Sequence, residues 1–165
     1  MISDELTDQL NQQIKEELQS EFYYLGMAAY FHEEDWDGFA TFMEVQAEEE
    51  REHAMKFYDF LDEVGKSIVV PEVEKPSVSY DSIEEVFETA LKQEQHITQR
   101  IHKLMERARN HNDYEVESLL QWFIDEQVEE ENLMDNILQK VRRAGNDTAA
   151  LLILDEELRD RENEE

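Results

Sequence analysis

The chain contains no cysteine. That removes disulfides, thiolate nucleophiles and zinc–thiolate sites from consideration. Turn formers are scarce as well, with 4 glycines and 2 prolines in 165 residues, a composition suited to few turns and long helices. Basic residues are few: 15 Lys+Arg face 43 Asp+Glu, for a net charge of −28. A surface of that sign repels phosphate backbones and anionic membranes, so neither nucleic acid nor a membrane surface is an expected partner. The most apolar stretch, residues 22–31, falls well short of the roughly 20 residues a bilayer requires. Met1-Ile2-Ser3-Asp4-Glu5 has neither the basic start nor the apolar stretch of a signal peptide, and a cytoplasmic location is the expectation.

Hydrophobic residues make up 40% of the chain, too many for a disordered acidic tail. The length is short for two ordinary domains and ample for one core, so one domain over 1–165 is expected. Five helices are predicted: α1 over Asp4–Glu33, α2 over Gly38–Val64, α3 over Ser82–Asn110, α4 over Asp113–Arg143 and α5 over Asp147–Arg159. Ser82 with Glu85 has the spacing of a capping box, and so has Asn112 with Glu115. Gly65 and Gly145 stand where a left-handed helix end is wanted. Short connections make α1–α2 and α3–α4 antiparallel pairs. Between α2 and α3 lie residues 65–81, with both prolines. Extended, that segment reaches about 55 Å, enough to cross a 27-residue helix of about 40 Å. The expected fold is therefore all-α: a four-helix bundle with one long crossover and a short fifth helix.

The apolar seam of each helix carries polar intruders. In α4 the three–four register runs Val116, Leu120, Phe123, Gln127, Glu130, Met134, Ile137, Val141. In α3 it runs Phe87, Ala90, Glu94, Ile97, Ile101, Leu104, and in α2 Phe39, Met43, Gln46, Glu50, His53, Phe57, Phe60, Val64. In α1 a mixed stripe holds Leu10, Ile14, Glu17, Glu21, Tyr24 and Ala28. Glu17, Glu50, His53, Glu94, Gln127 and Glu130 all fall near the midpoints of their helices, so helices of similar length place them in one layer. A single Glu on such a stripe is usually a boundary residue that reaches water. Four at one depth would repel and destabilise the fold if left uncompensated. Two divalent ions balance the four carboxylates, with His53 and Gln127 as neutral ligands, and this oxygen-rich set suits Fe(II) or Mn(II).

These residues give the chain a close resemblance to the non-haem ferritins of prokaryotes. The matching segments are Glu17 in Gln-Ile-Lys-Glu-Glu-Leu, Ala47 to Ala54, Glu94-Gln95, and Leu120 to Phe123 leading to Glu126 to Glu131. The resemblance implies an enzyme, a ferroxidase, in an iron-storage protein. Glu17, Glu50 and His53 would hold one iron, Glu50 would bridge, and Glu94 and Glu130 would hold the second, with Gln127 nearby. Glu49, Glu126 and Glu129, with Glu130 shared, would form a third iron site; their alternative is a solvated acidic face. Tyr24 would serve catalysis as an electron donor beside the centre, and Trp122 belongs to the same neighbourhood; core packing is the alternative for both. Glu21 is read either as a flank residue or as an extra metal position. A haem-ligating Met is expected in bacterioferritins where this chain has Arg51, so no haem is expected.

The resemblance further implies a homo-oligomeric cage of 24 subunits, with iron and dioxygen or peroxide as substrates. The apolar run Ala149 to Leu154 in α5 would meet other subunits, and Asp113, Glu115 and Glu117 would line iron channels. A substrate-oxidising di-iron enzyme of the rubrerythrin kind is a competing class, but it usually carries a cysteine-ligated iron domain, for which this chain has neither cysteine nor length. An acidic interaction module without metal explains the charge and not the shared depth. About twenty negative charges exceed what the metal sites use, which points to a salty working environment, because screening length shrinks to roughly 3 Å at 1 M salt.

Overall fold

A computed structural model describes residues 2–163. Its helices are α1 Asp4–Glu33, α2 Asp37–Glu63, α3 Ile83–Asn110, α4 Tyr114–Ala144 and α5 Thr148–Arg159, followed by a 3-10 turn at Asp160–Asn163. The helix ends follow side-chain chemistry. Ser3 caps α1 through Leu6 N–H, and Ser82 caps α3 through Glu85 N–H at 3.0 Å. Glu85 reaches back to Asp81 N–H, completing the reciprocal pair one residue earlier than a strict box. Asp147 caps α5 through the N–H groups of Ala149 and Ala150. Gly65 and Gly145 take φ of +71° and +56° beyond the ends of α2 and α4.

Two local expectations are corrected. The cap of α4 is Asp113, whose Oδ1 accepts from Val116 N–H, while Asn112 takes φ +53° in the turn before it. An asparagine tolerates that left-handed conformation, and the carboxylate one residue later is then aimed at the helix start. At the end of α2 the seam passes through Leu61, fully buried, in place of Phe60 and Val64, which are half-buried. A straight helix turns every 3.6 residues, so a 3.5-residue register drifts off the core over several turns.

The crossover is tied to α1 along its length. The Asn11 amide donates to Ser67 O and accepts from Val69 N–H. The Gln19 amide does the same with both backbone groups of Glu74. At Gly26 a Cβ would lie 2.2 Å from Ser77 O, so only glycine admits the strand of chain there. Residues 67 to 77 thus run beside 11 to 26, in the direction of α1. The chain leaves α2 at the N-terminal end of α1, returns to its C-terminal end, and starts α3 parallel to α2. Arg142 on α4 bonds Glu84 and Glu88, and Gln127 bonds Glu94, so α4 runs antiparallel to α3.

Two apolar clusters fill the bundle. One gathers Phe31, Phe39, Phe42, Phe87 and Met134; the other gathers Leu6, Leu10, Phe57, Ile101, Leu120 and Phe123. Between them lies a layer of buried polar side chains, Gln13, Glu17, Gln46, Glu50, His53, Glu94, Gln127 and Glu130. The short α5 docks on the start of α2. Trp36 gives that helix no side-chain cap, and Asp155 Oδ1 of α5 accepts from Phe39 N–H at 2.9 Å instead.

Candidate metal centre

The structure brings together all six midpoint residues. Glu17, Glu50 and Glu94 are fully buried, and His53, Gln127 and Glu130 are no more than 4% exposed. Among the described residues three groups of potential ligands emerge, each with one ligand atom per residue and all within 4.8 Å of one another: Glu17–Glu50–His53, Glu50–Glu94–Glu130 and His53–Glu126–Glu130. Glu50 belongs to the first two, so its carboxylate stands between two potential cation positions. Lone pairs are left over where a cation would take them. Glu17 Oε2, Glu50 Oε2, His53 Nδ1, Gln46 Oε1 and Gln127 Oε1 are buried without a hydrogen-bond partner. A folded protein rarely strands so many polar atoms in one place unless something else satisfies them.

Neutral amides hold the carboxylates in position. Gln46 Nε2 donates to Glu130 at 2.6 Å and to Glu50 at 3.2 Å, spanning α2 and α4. Gln13 donates to Glu17, and its carbonyl accepts from Arg100 Nε, which fixes which end of the amide faces the carboxylate. Gln127 donates to the Glu94 carboxylate at 3.1 Å and to the hydroxyl of Thr98. Gln46 was visible on the α2 stripe, but nothing in its spacing marked it out; Gln13 and Thr98 carried no sequence signal.

Burial sets the protonation of the metal-free layer. It pushes Glu50 well above the usual carboxylate range, helped by the charges of Glu94, Glu17 and Glu130. Burial also raises Glu130 to about 10, with Glu94 and Glu49 adding to the rise, against the Gln46 hydrogen bond and Arg161. Glu94 rises by burial to only about 7, because the hydrogen bonds from Tyr24 and Gln127 favour its charged form. Tyr24 is fully buried, its hydroxyl donates to Glu94 Oε1, and burial holds the phenol well above its ordinary pKa. It therefore both packs in the apolar cluster beside the layer and touches Glu94 through its hydroxyl.

The outlying residues divide. Glu126 Oε1 lies 3.8 Å from His53 Nε2, and Glu126 and Glu49 both line a cavity of about 340 Å³ with Glu48, Glu52, Lys56 and Trp122. Glu129 is exposed and falls in none of the three groups. Glu49 is paired with Arg161, whose Nη2 stands 2.9 Å from its Oε2. Trp122 is 40% exposed and meets His53 edge-on at 5.4 Å, so it covers the imidazole from outside and is not core. Glu21 is half-buried on the flank facing Arg51, whose charge opposes the upward pull of burial on its pKa, and it joins no ligand group.

Comparison with known proteins follows the same lines. A family model of the ferritin-like domain matches residues 7–144. A bacterial non-heme ferritin of Staphylococcus epidermidis is 41% identical over 158 residues, covering 96% of this chain and 95% of that protein. One from Staphylococcus aureus is 39% identical over the same span. Among solved structures, an open pore ferritin from the hyperthermophilic archaeon Archaeoglobus fulgidus superposes with a TM-score of 0.95 at 42% identity, covering 96% of this chain and 98% of that one.

Proposed function

The chain belongs to the ferritin family of iron-storage proteins, and from that premise we propose that it is a ferroxidase: it oxidises Fe(II) at the buried layer and passes Fe(III) to storage inside a shell of its own copies. Glu17, Glu50 and His53 take one Fe(II). Glu50, Glu94 and Glu130 take the second, with Gln127 alongside. The observation that carries this reading is the shared Glu50, which stands between two ligand groups in a layer rich in unpartnered lone pairs. Two cations of charge +2 balance the four carboxylates and displace the protons that burial retains on Glu50 and Glu130.

The reaction balances as two Fe(II) giving up one electron each to dioxygen, which takes two protons to become hydrogen peroxide. Where dioxygen is instead reduced to two waters, four electrons and four protons are needed; two Fe(II), a third Fe(II) and Tyr24, hydrogen-bonded to Glu94, are read as the four electron donors, with the phenolic proton among the four. The outlying group, His53 with Glu126 and Glu130 and with Glu49 and Glu129 farther out, is read as the position of a third iron. In the family shell of 24 copies, the exposed Leu152 and Ile153 of α5 would be covered by neighbouring subunits. The site works in a cytoplasmic setting, and no described helix is long and apolar enough to cross a membrane.

Anaerobic Fe(II) loading followed by rapid mixing with oxygen tests the centre. The unaltered protein should show a fast absorbance rise, and Glu50→Ala combined with His53→Ala should abolish it. A fast phase left unchanged by both substitutions overturns the assignment. Light scattering of the purified protein tests the shell, and a stable monomer or dimer would exclude it.

A further inference from the structure

A guanidinium stands at the edge of the ligand cluster. Arg161 comes from the 3-10 turn after α5, a segment far from the bundle midpoint in sequence. Its Nη2 lies 2.9 Å from Glu49 Oε2, its Nη1 donates to Phe42 O, and its guanidinium carbon sits 4.4 Å from the centroid of the Phe42 ring. The side chain is only 11% exposed and that of Glu49 is 19% exposed. This is a seated cation, held by a carboxylate, a carbonyl and an aromatic face at once, and not a loose surface pair. Glu49 directly precedes Glu50 and lies one turn before His53, and it lines the same cavity as His53 and Glu126.

We propose that Arg161 is a specificity-determining residue that, as a built-in cation, engages Glu49 at the edge of the outlying position next to the paired centre. The proposal rests on the reading of that centre as a two-cation site. With Arg161 in place, the Glu49 carboxylate is already neutralised, and a third divalent ion in the cavity has to displace the C-terminal turn to use it. No paired-centre carboxylate bonds to Arg161; its charge reaches Glu130 as a minor influence beside burial, Glu94 and Glu49, so the pair depends on it far less than Glu49 does. The turn at Asp160–Asn163 is thereby linked to loading: it stays docked while two cations are bound and is released when the third arrives.

Calorimetric titration with Zn²⁺, a redox-inert stand-in, separates the steps; salt near 0.3 M suppresses diffuse binding to the acidic surface. The unaltered protein should bind two ions tightly and a third weakly. Arg161→Gln should change the first two little and tighten the third roughly twofold to fivefold, the range expected for removing a competing ion pair. Arg161→Lys, which keeps the charge but loses the planar fork seated on Phe42, should tighten the third step less than Arg161→Gln does. In the unaltered protein, amide hydrogen exchange over residues 158–163 should speed up only at the third equivalent; this reading needs no variant. A third step equal in the unaltered and Arg161→Gln proteins, or exchange that ignores the third equivalent, overturns the proposal while leaving the paired centre intact. Fewer than two tight ions in the unaltered protein overturns the paired centre first, and the role of Arg161 with it.

Discussion

At the scale of single residues, the centre depends on groups that bind no cation as much as on those that do. Gln46 spans Glu50 and Glu130 with one amide nitrogen, so it sets the distance between a carboxylate of α2 and one of α4. Gln46→Leu keeps the volume and burial but deletes both bonds. Metal affinity at the pair should fall by about 10–100-fold, the usual cost of losing an outer-shell partner, with far-ultraviolet circular dichroism unchanged. Sequence periodicity pointed to the six midpoint residues because each broke an apolar stripe at the same depth. It did not single out Gln46 or Gln13, because an amide on a stripe looks the same whether it meets water or a carboxylate; that depends on which neighbour packs opposite. The retained protons give a second test. Glu94 and Glu130 rise from an ordinary value of 4.5 to about 7 and about 10, so the folded protein binds more protons than the unfolded chain between these values. Stability of the metal-free protein must then fall as pH rises through that window. Thermal unfolding followed from about pH 5 to pH 8 should show the melting temperature dropping, and Glu94→Gln should flatten the drop over the lower part of the window. A metal-free protein that grows more stable across this range, with or without Glu94, would contradict the assigned protonation.

At the scale of elements, the helices and their order were legible from capping residues, connection lengths and seams. The observed α1 matches its predicted span, α3 and α5 start one residue later, and α2 and α4 shift by one residue at both ends. The docking of α5 was not legible. Gly38 stands at the start of α2, where a Cβ would lie 1.8 Å from the Asp155 carbonyl oxygen. A close approach between elements distant in sequence leaves no periodic trace. The acidic residues around the start of α4 are engaged within their own chain: Asp113 is buried as a cap, and Glu117 bonds Arg109. The α5 contact yields a sharp expectation. Gly38→Ala must push α5 away and cost about 1–3 kcal/mol, as overpacking does. Asp155→Ala should cost about 1 kcal/mol through the lost cap of α2. Both should lower the thermal midpoint and leave Zn²⁺ binding at the pair intact, since the centre lies on the other helices and farther along α2. If either variant loses the pair while its helix content is unchanged, α5 is coupled to the centre in a way the packing does not provide for.

At the scale of the whole molecule, the excess charge and the exposed apolar side chains pull in opposite directions. Phe22, Leu25, Met55, Leu152 and Ile153 remain accessible on a chain that carries −28. Burial of such side chains between copies favours assembly, and it weakens little when salt is removed. Repulsion between copies does the reverse. Its reach grows from roughly 3 Å at 1 M salt to roughly 30 Å at 0.01 M, comparable to the length of a helix in this bundle. Few cations are available to offset it, because Arg142, Lys140, Arg107 and Arg109 are already engaged with carboxylates of their own chain. Iron bound at the centre cancels only the buried carboxylates and leaves the surface charge as it was. Assembly should therefore depend on salt in a way that metal loading at the pair does not repair. Light scattering after dialysis to about 10 mM salt should show the shell dissociating, and return to about 1 M should rebuild it. The folded helix content of the separated chains should persist, since the two apolar clusters and the inner caps belong to one chain. A shell that stays intact at the lowest salt would mean that contacts between copies outweigh the repulsion, and the acidic surface would then need a purpose other than tuning assembly to a salty environment.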